Sequence, residues 1–146
     1  MIRYTRIGDL SDLKILAVTD AAYLKLEDKT KSVLGRFIFM TNNDESVVAP
    51  IAWKSKCIPT VCKSAKDAET RAADKCSEKA IYIARAVKEL FTGERGESQI
   101  KVDMLTDSMP LLDSLNSTKQ VDNKLLRPLI KYMKSCLDAK MITSVR

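Results

Sequence analysis

Apolar positions in this chain fall in short blocks, and their spacing changes near the middle from strand-like to helical. Residues 13–18 (LKILAV) form a brief apolar run of the kind found in a strand buried on both faces. Residues 33–41 (VLGRFIFMT) read as a second strand, closed by the turn signal Asn42-Asn43-Asp44. Residues 47–53 (VVAPIAW) return as a third, so strands two and three are expected to form an antiparallel hairpin. Pro50 has no backbone N–H and suits an edge or a bulge better than a central strand.

From residue 64 to residue 91 the chain is rich in Ala, Lys and Glu and free of Gly and Pro, which predicts one long helix. Ser64 is the expected N-cap, with Asp67 as a short-armed partner in a capping box, and Gly93 is the expected C-cap. Residues 100–106 (IKVDMLT) read as a fourth strand and residues 110–115 as a short helix. Residues 121–139 read as a second long helix that Pro128 should kink or divide at Arg127. Residues 141–145 (MITSV) read as a fifth strand. The order β-β-β-α-β-α-α-β calls for an α/β fold: a mixed five-stranded sheet, antiparallel first and parallel later, with helices on both faces.

A length of 146 residues fits one domain and leaves enough interior for a core without metal or disulfide support. No apolar run approaches the roughly 20 residues needed to cross a bilayer, and the charged N-terminal stretch does not resemble a secretion signal. The expected setting is therefore intracellular, with no membrane partner. Cys57, Cys62, Cys76 and Cys136 form no CxxC pair, and the chain contains no histidine. That combination disfavours a tetrahedral zinc site and removes Ser/His and Cys/His nucleophiles, so the cysteines are read as reduced, packed thiols. Chemistry here must rest on carboxylates, lysines or bound metal. Twenty-five basic against 19 acidic residues give a net charge of +6, a moderate pointer to a polyanionic partner.

Three carboxylates stand where burial alone would not put them. Asp20 directly follows the first apolar run and Asp107 the fourth, at strand ends where α/β sheets gather ligands. Each could instead be a turn or capping residue. Glu69 falls on the same helical face as Cys76, Ala80, Ile83 and Val87, the stripe that must pack on the sheet. A lone ionised carboxylate there costs several kcal/mol, so it should pair with a Lys or Arg or bind a cation. Convergence of the three over the ends of strands one and four favours the cation. Oxygen-only ligands suit magnesium or manganese, and two such ions roughly 4 Å apart can activate water against a phosphodiester.

The motifs Thr19-Asp20-Ala21, Pro50-Ile51-Ala52-Trp53-Lys54-Ser55-Lys56 and Ser64-Ala65-Lys66-Asp67-Ala68-Glu69 follow one another in this order. So do Thr106-Asp107-Ser108 and Lys119-Gln120-Val121-Asp122. Together they resemble the ribonuclease H domain in the polymerase of copia-type long-terminal-repeat retrotransposons. Those domains carry an Asp-Ala motif, a P-I-x-W-x-S-K stretch, S-x-x-x-A-E on a helix and a K-H-I-D run; T-D-S is similar to cellular ribonuclease H. The resemblance covers the chain from about Lys14 onward. It implies a metal-dependent endonuclease that cuts the RNA strand of RNA–DNA hybrids during reverse transcription. Asp20, Glu69 and Asp107 would be the catalytic ligands of two Mg2+ or Mn2+ ions.

By motif position Ser64 and Ser108 would touch the hybrid backbone. Lys54 and Lys56 beside Trp53 would contact phosphates, unless that trio is a solvated strand end with a core tryptophan. The rest of a reverse transcriptase polyprotein would be the partner, in the cytoplasm, a virus-like particle or the nucleus. The expected layout is one ribonuclease H-like domain over residues 1–146.

Several positions depart from the family pattern. Cys57 replaces its Gln, Thr70 its aromatic and Gln120 its histidine. The family places a fourth acid beyond the fifth strand, whereas this sequence ends at Val145-Arg146, and Asp122 does not match that position. The expected domain thus lacks its final element. A catalytically idle ribonuclease H-like binding or scaffolding domain, and a basic RNA-binding domain without metal, are the alternatives.

Overall fold

The computed structural model describes residues 7–24, 31–96, 99–119 and 121–146. After a single 3-10 turn at Leu10–Asp12 come β1 (Leu13–Ala22), β2 (Val33–Asn42), β3 (Val48–Cys57) and α1 (Ala65–Thr92). They are followed by β4 (Lys101–Leu105), α2 (Met109–Asn116), α3 (Arg127–Asp138) and β5 (Ser144–Val145). The five strands form one sheet in the order β3-β2-β1-β4-β5. β1 pairs antiparallel with β2, and β2 with β3, whereas β1/β4 and β4/β5 are parallel. The expected element order and mixed sheet are therefore present. β3 is an edge strand, and the register shifts between Ile38 and Phe39, whose partners are Ala52 and Pro50. The bulge and the edge together accommodate the proline.

Packing follows the two periods in the sequence. Alternate strand residues Leu13, Ile15, Ala17, Ile38, Val102 and Met104 share one cluster with Ala73, Cys76, Ala80, Ala84 and Val87 of α1. Leu111 and Leu115 of α2 and Ile130, Met133 and Cys136 of α3 complete it. Alanine at three of those α1 positions lets the helix backbone lie close to the sheet, and Ile83 is only half-buried. Among the described residues all three helices pack on this one face, and a helical layer on the second face is not among them. Residues of the second face include Leu16, Val18, Phe37, Phe39 and Trp53, of which Phe37 and Trp53 are exposed. No described helix is long and apolar enough to cross a membrane. Three of the four free cysteines are buried and Cys57 is exposed.

β3 runs on to Cys57 rather than ending at Trp53, because its pairing with β2 continues to Val33↔Cys57. Three other boundaries differ from the sequence pattern for local reasons. β1 runs on to Ala22, because antiparallel pairing with β2 continues through Asp20↔Gly35 to Ala22↔Val33. The long final helix is shorter than residues 121–139: α3 begins at Arg127 with proline in its first turn, and residues 121–126 are not helical. A proline in the first turn removes only a donor that has no partner there anyway, whereas mid-helix it would break the ladder. β5 holds two residues rather than five, since the Met141 and Ile142 amides close the end of α3 by donating to the Cys136 carbonyl. Lys140, with φ 55°, makes that reversal.

Ile38 has no solvent exposure and lies where β2 meets α1. Ile38→Ala should lower unfolding stability by about 2–5 kcal/mol in urea titration, and a loss below 0.5 kcal/mol would contradict this packing.

Candidate metal centre

The parallel register of β1 and β4 ends at Val18↔Leu105. Each strand carries an aspartate two residues further on, so Asp20 and Asp107 leave the same end of the sheet side by side. Asp20 is still within β1, opposite Gly35 of β2. Asp107 lies in the turn into α2, where its carbonyl accepts from Met109 N at 3.1 Å and Thr106 Oγ1 accepts from Ser108 N at 3.2 Å. The Thr106 amide donates to the Arg146 carbonyl at 2.9 Å and so ties this turn to the end of β5.

α1 brings the third acid. Its start is fixed by Ser64, whose hydroxyl accepts from Asp67 N at 3.1 Å. Asp67 reaches past Ser64 to accept from Lys63 N at 3.0 Å, and its other oxygen accepts from Arg71 Nε at 2.6 Å. Further along, Arg36 Nη1 donates to the Lys75 carbonyl at 3.0 Å, and Cys76 Sγ lies 3.7 Å from Val18 O. These ties hold the helix at a level where Glu69, on its second turn, meets the sheet end.

One carboxylate oxygen from each of Asp20, Glu69 and Asp107 lies within 4.8 Å of the others. The two aspartates are exposed and Glu69 is half-buried. Glu69 Oε2 is buried and has no hydrogen-bond partner. Burial, then the charges of Asp107 and Asp20, raise the Glu69 carboxyl from its ordinary 4.5 to about 7, opposed by the Ala21 backbone amide. Among the described residues no ion pair involves any of the three. The buried-ion-pair reading of Glu69 therefore has no partner there. Asp107 is not the N-cap of α2 either; Ser108 is. An orphaned buried oxygen among three converging hard donors fits a divalent cation of the magnesium or manganese kind.

The other residues singled out by the sequence lie around this point in different ways. Ser64 is exposed, but its hydroxyl serves as the α1 cap. Ser108 is 7% exposed and caps α2 without a side-chain bond. Lys54 and Lys56 are exposed on the edge strand β3, flanking Ser55, which stands two strands from Asp20 in the row Asp20–Gly35–Ser55. Two inter-strand steps put that row about 10 Å across. Trp53 is 58% exposed, so the alternative of a solvated strand end with a core tryptophan is not met. Gln120 lies outside the described residues. Asp122 belongs to a separate hollow of ≈ 620 Å³ with Ser64, Lys66, Lys119 and Asn123, beside the start of α1. Nothing in the sequence pointed to that hollow, because residues 121–126 read as helix.

Comparisons with known proteins agree with this architecture. No family model matches the chain, and no curated protein matches it. Among solved structures, it is similar to the N-terminal RNase H domain of a Mycobacterium tuberculosis protein, solved as a fusion with maltose-binding protein. That match has a TM-score of 0.58 and 15% identity and covers 92% of this chain and 79% of that one. Ribonuclease H1 from the halophilic archaeon Halobacterium salinarum matches with a TM-score of 0.58 and 14% identity, over 90% and 81% of the two chains. LC11 ribonuclease H1, isolated from compost and solved with an RNA/DNA hybrid, matches with a TM-score of 0.52 and 14% identity over the same shares. The chain thus has a ribonuclease H-like fold.

A carboxyl held above its ordinary value binds its proton more tightly in the folded state. Without divalent cation, the Glu69 contribution to stability should therefore be full below about pH 4.5 and be lost as pH rises through about 7. After allowance for solvent screening this amounts to roughly 1–2 kcal/mol. Urea titrations at pH 5 and pH 8 should show that part of the decline vanish in Glu69→Gln. Magnesium or manganese should restore stability at pH 8 in the parent chain only. An identical pH profile for the parent and the variant would refute the assignment.

Proposed function

We propose that this chain is a metal-dependent endonuclease that hydrolyses the RNA strand of RNA–DNA hybrids. The observation that carries the reading is the meeting of Asp20, Glu69 and Asp107 within 4.8 Å, with a Glu69 oxygen buried and unpartnered. The three side chains would hold Mg2+ or Mn2+, two ions in the reading favoured here. When bound, such ions supply a neutralising charge for the attacking and leaving oxygens of a phosphodiester. The protein's own part is to keep the three carboxylates fixed from three separate elements, so that little reorganisation is needed when the substrate arrives. Exposure of Asp20 and Asp107 leaves the cluster open to a bulky duplex, which a buried site would exclude.

Substrate recognition would rest on shape and phosphate rather than base sequence, as A-like duplexes are read mostly through backbone and 2′-hydroxyls. Lys54 and Lys56 on the β3 edge, the exposed Ser64, Ser108 beside Asp107 and a net charge of +6 supply suitable contacts. The hybrid bound by the LC11 enzyme supports the choice of substrate by analogy of fold. The motif run from Thr19-Asp20-Ala21 to Thr106-Asp107-Ser108 supports a narrower reading. In it, the whole of residues 1–146 is one domain of a copia-type retrotransposon polymerase, joined to a reverse transcriptase and working inside cells. A second reading, an idle ribonuclease H-like binding domain, is favoured by the cluster having three rather than four acids among the described residues.

Incubation with a hybrid labelled on its RNA strand, in magnesium or manganese, separates the two. Cleavage should fall at least about a hundredfold in Asp20→Asn, Glu69→Gln and Asp107→Asn, and stop on chelation, while hybrid binding and folding persist. No cleavage by the parent chain, with binding intact, would establish the idle domain. Cleavage undiminished by the substitutions would remove the proposed centre.

A further inference from the structure

Away from the acid cluster, α1 and the neighbouring sheet edge enclose a second feature. A shallow hollow of ≈ 300 Å³ is lined by Arg36, Lys75, Glu78, Lys79 and Tyr82. Arg36 stands next in the sheet to Lys54, and its Nη1 spans from β2 to the Lys75 carbonyl. The charges here do not cancel. Lys75 is matched by Glu78 at 2.8 Å and lies 3.8 Å from Asp74. Arg36 and Lys79 have no carboxylate partner among the described residues. Arg36 Nε is buried without any hydrogen-bond partner, and Lys79 Nζ sits 4.6 Å over the ring of Tyr82. Tyr82 is itself 63% exposed. A guanidinium held by one backbone carbonyl, next to an ammonium placed over an open aromatic ring, is an arrangement suited to an anionic group.

Position gives the anion an identity. Lys75 and Lys79 follow Glu69 on the same helix by six and ten residues, or about 9 and 15 Å of axis. At about 3.4 Å per base pair this spans roughly three to four base pairs. Arg36 is the cross-strand partner of Thr19, the residue before Asp20, so the hollow continues the acid cluster along the α1 flank. Lys54 stands beside it on the edge strand.

We propose that the Arg36–Lys75–Lys79–Tyr82 hollow is a phosphate-binding site for the nucleic-acid strand, engaging the backbone a few nucleotides from the acid cluster. This rests on the hybrid-cleaving reading for the identity of the strand, but not on cleavage itself. Glu78, on the rim of the hollow, limits its affinity.

The test is equilibrium binding of an RNA–DNA hybrid of about 18 base pairs, followed by fluorescence anisotropy in EDTA across a salt series. Lys79→Gln should raise Kd several-fold at low salt and reduce the log–log salt slope by about one, the signature of one lost phosphate contact. Glu78→Gln should do the opposite and tighten binding, a gain that a misfolded variant could not give. Unchanged affinity and slope in both variants would overturn the proposal. So would inorganic phosphate protecting the hollow while hybrid affinity stays the same, since that would mark an isolated anion site. Failure of the parent chain to cut a hybrid it binds would sink the nuclease reading alone. Cleavage with Lys79 and Glu78 inert would sink this site alone.

Discussion

Two parallel strands whose mutual pairing ends in register, each with an aspartate two residues further on, bring like charges together whether or not anything neutralises them. β1 and β4 do this at Val18↔Leu105, and α1 then lowers a glutamate onto the same point. Desolvation and mutual repulsion both resist the arrangement, and both are visible in the Glu69 carboxyl, raised to about 7. The surrounding structure is built to withstand that strain. Apolar packing of Ile15, Ala17 and Met104 against Cys76 and Ala80 fixes the strands and the helix together just behind the cluster. With the three elements held together behind the cluster, a proton or a cation from outside the chain relieves the repulsion.

The same helix serves three environments at once. Its sheet-facing side is mostly alanine and packs closely. Its first turns carry a buried capping network, with Asp67 fully buried between Lys63 N and Arg71. Its outer flank carries Lys75 and Lys79 toward the β2–β3 edge. A negative centre beside a positive flank is a pairing suited to one polyanion: the flank would attract the backbone, and the acids would retain the cations that the backbone also needs. The net charge of +6 over the whole chain would add to that attraction at a distance.

Much of this was legible in the order of residues because it depends on local rules. The β-β-β-α-β-α-α-β order, the Ser64 and Gly93 caps and the edge position of Pro50 follow from pattern and backbone chemistry alone. The place of Glu69 on the buried stripe was also readable, because its distance from Cys76 and Ala80 is a matter of helical period. What escaped was decided by pairing between distant segments. Residues 19–22 look like a strand's exit, yet β2 supplies partners as far as Ala22. Met141 and Ile142 have strand-like side chains, but their amides are used to end α3.

Trp53 shows where residue type misleads. One of the two readings open for it was a core position, but alternation on β3 sets it beside Phe37 on the face that carries no described helix. Arg36 is the reverse case: nothing in a run of VLGRFIFMT marks its arginine as more than a surface charge. The register makes it a neighbour of both Thr19 and Lys54, and a contact made by α1 turns it inward. Its significance is a property of three elements meeting, as that of the acid cluster is. In both places chemistry arises where the sheet end, the edge strand and α1 converge, and only the acid half of that convergence leaves a periodic trace in the sequence.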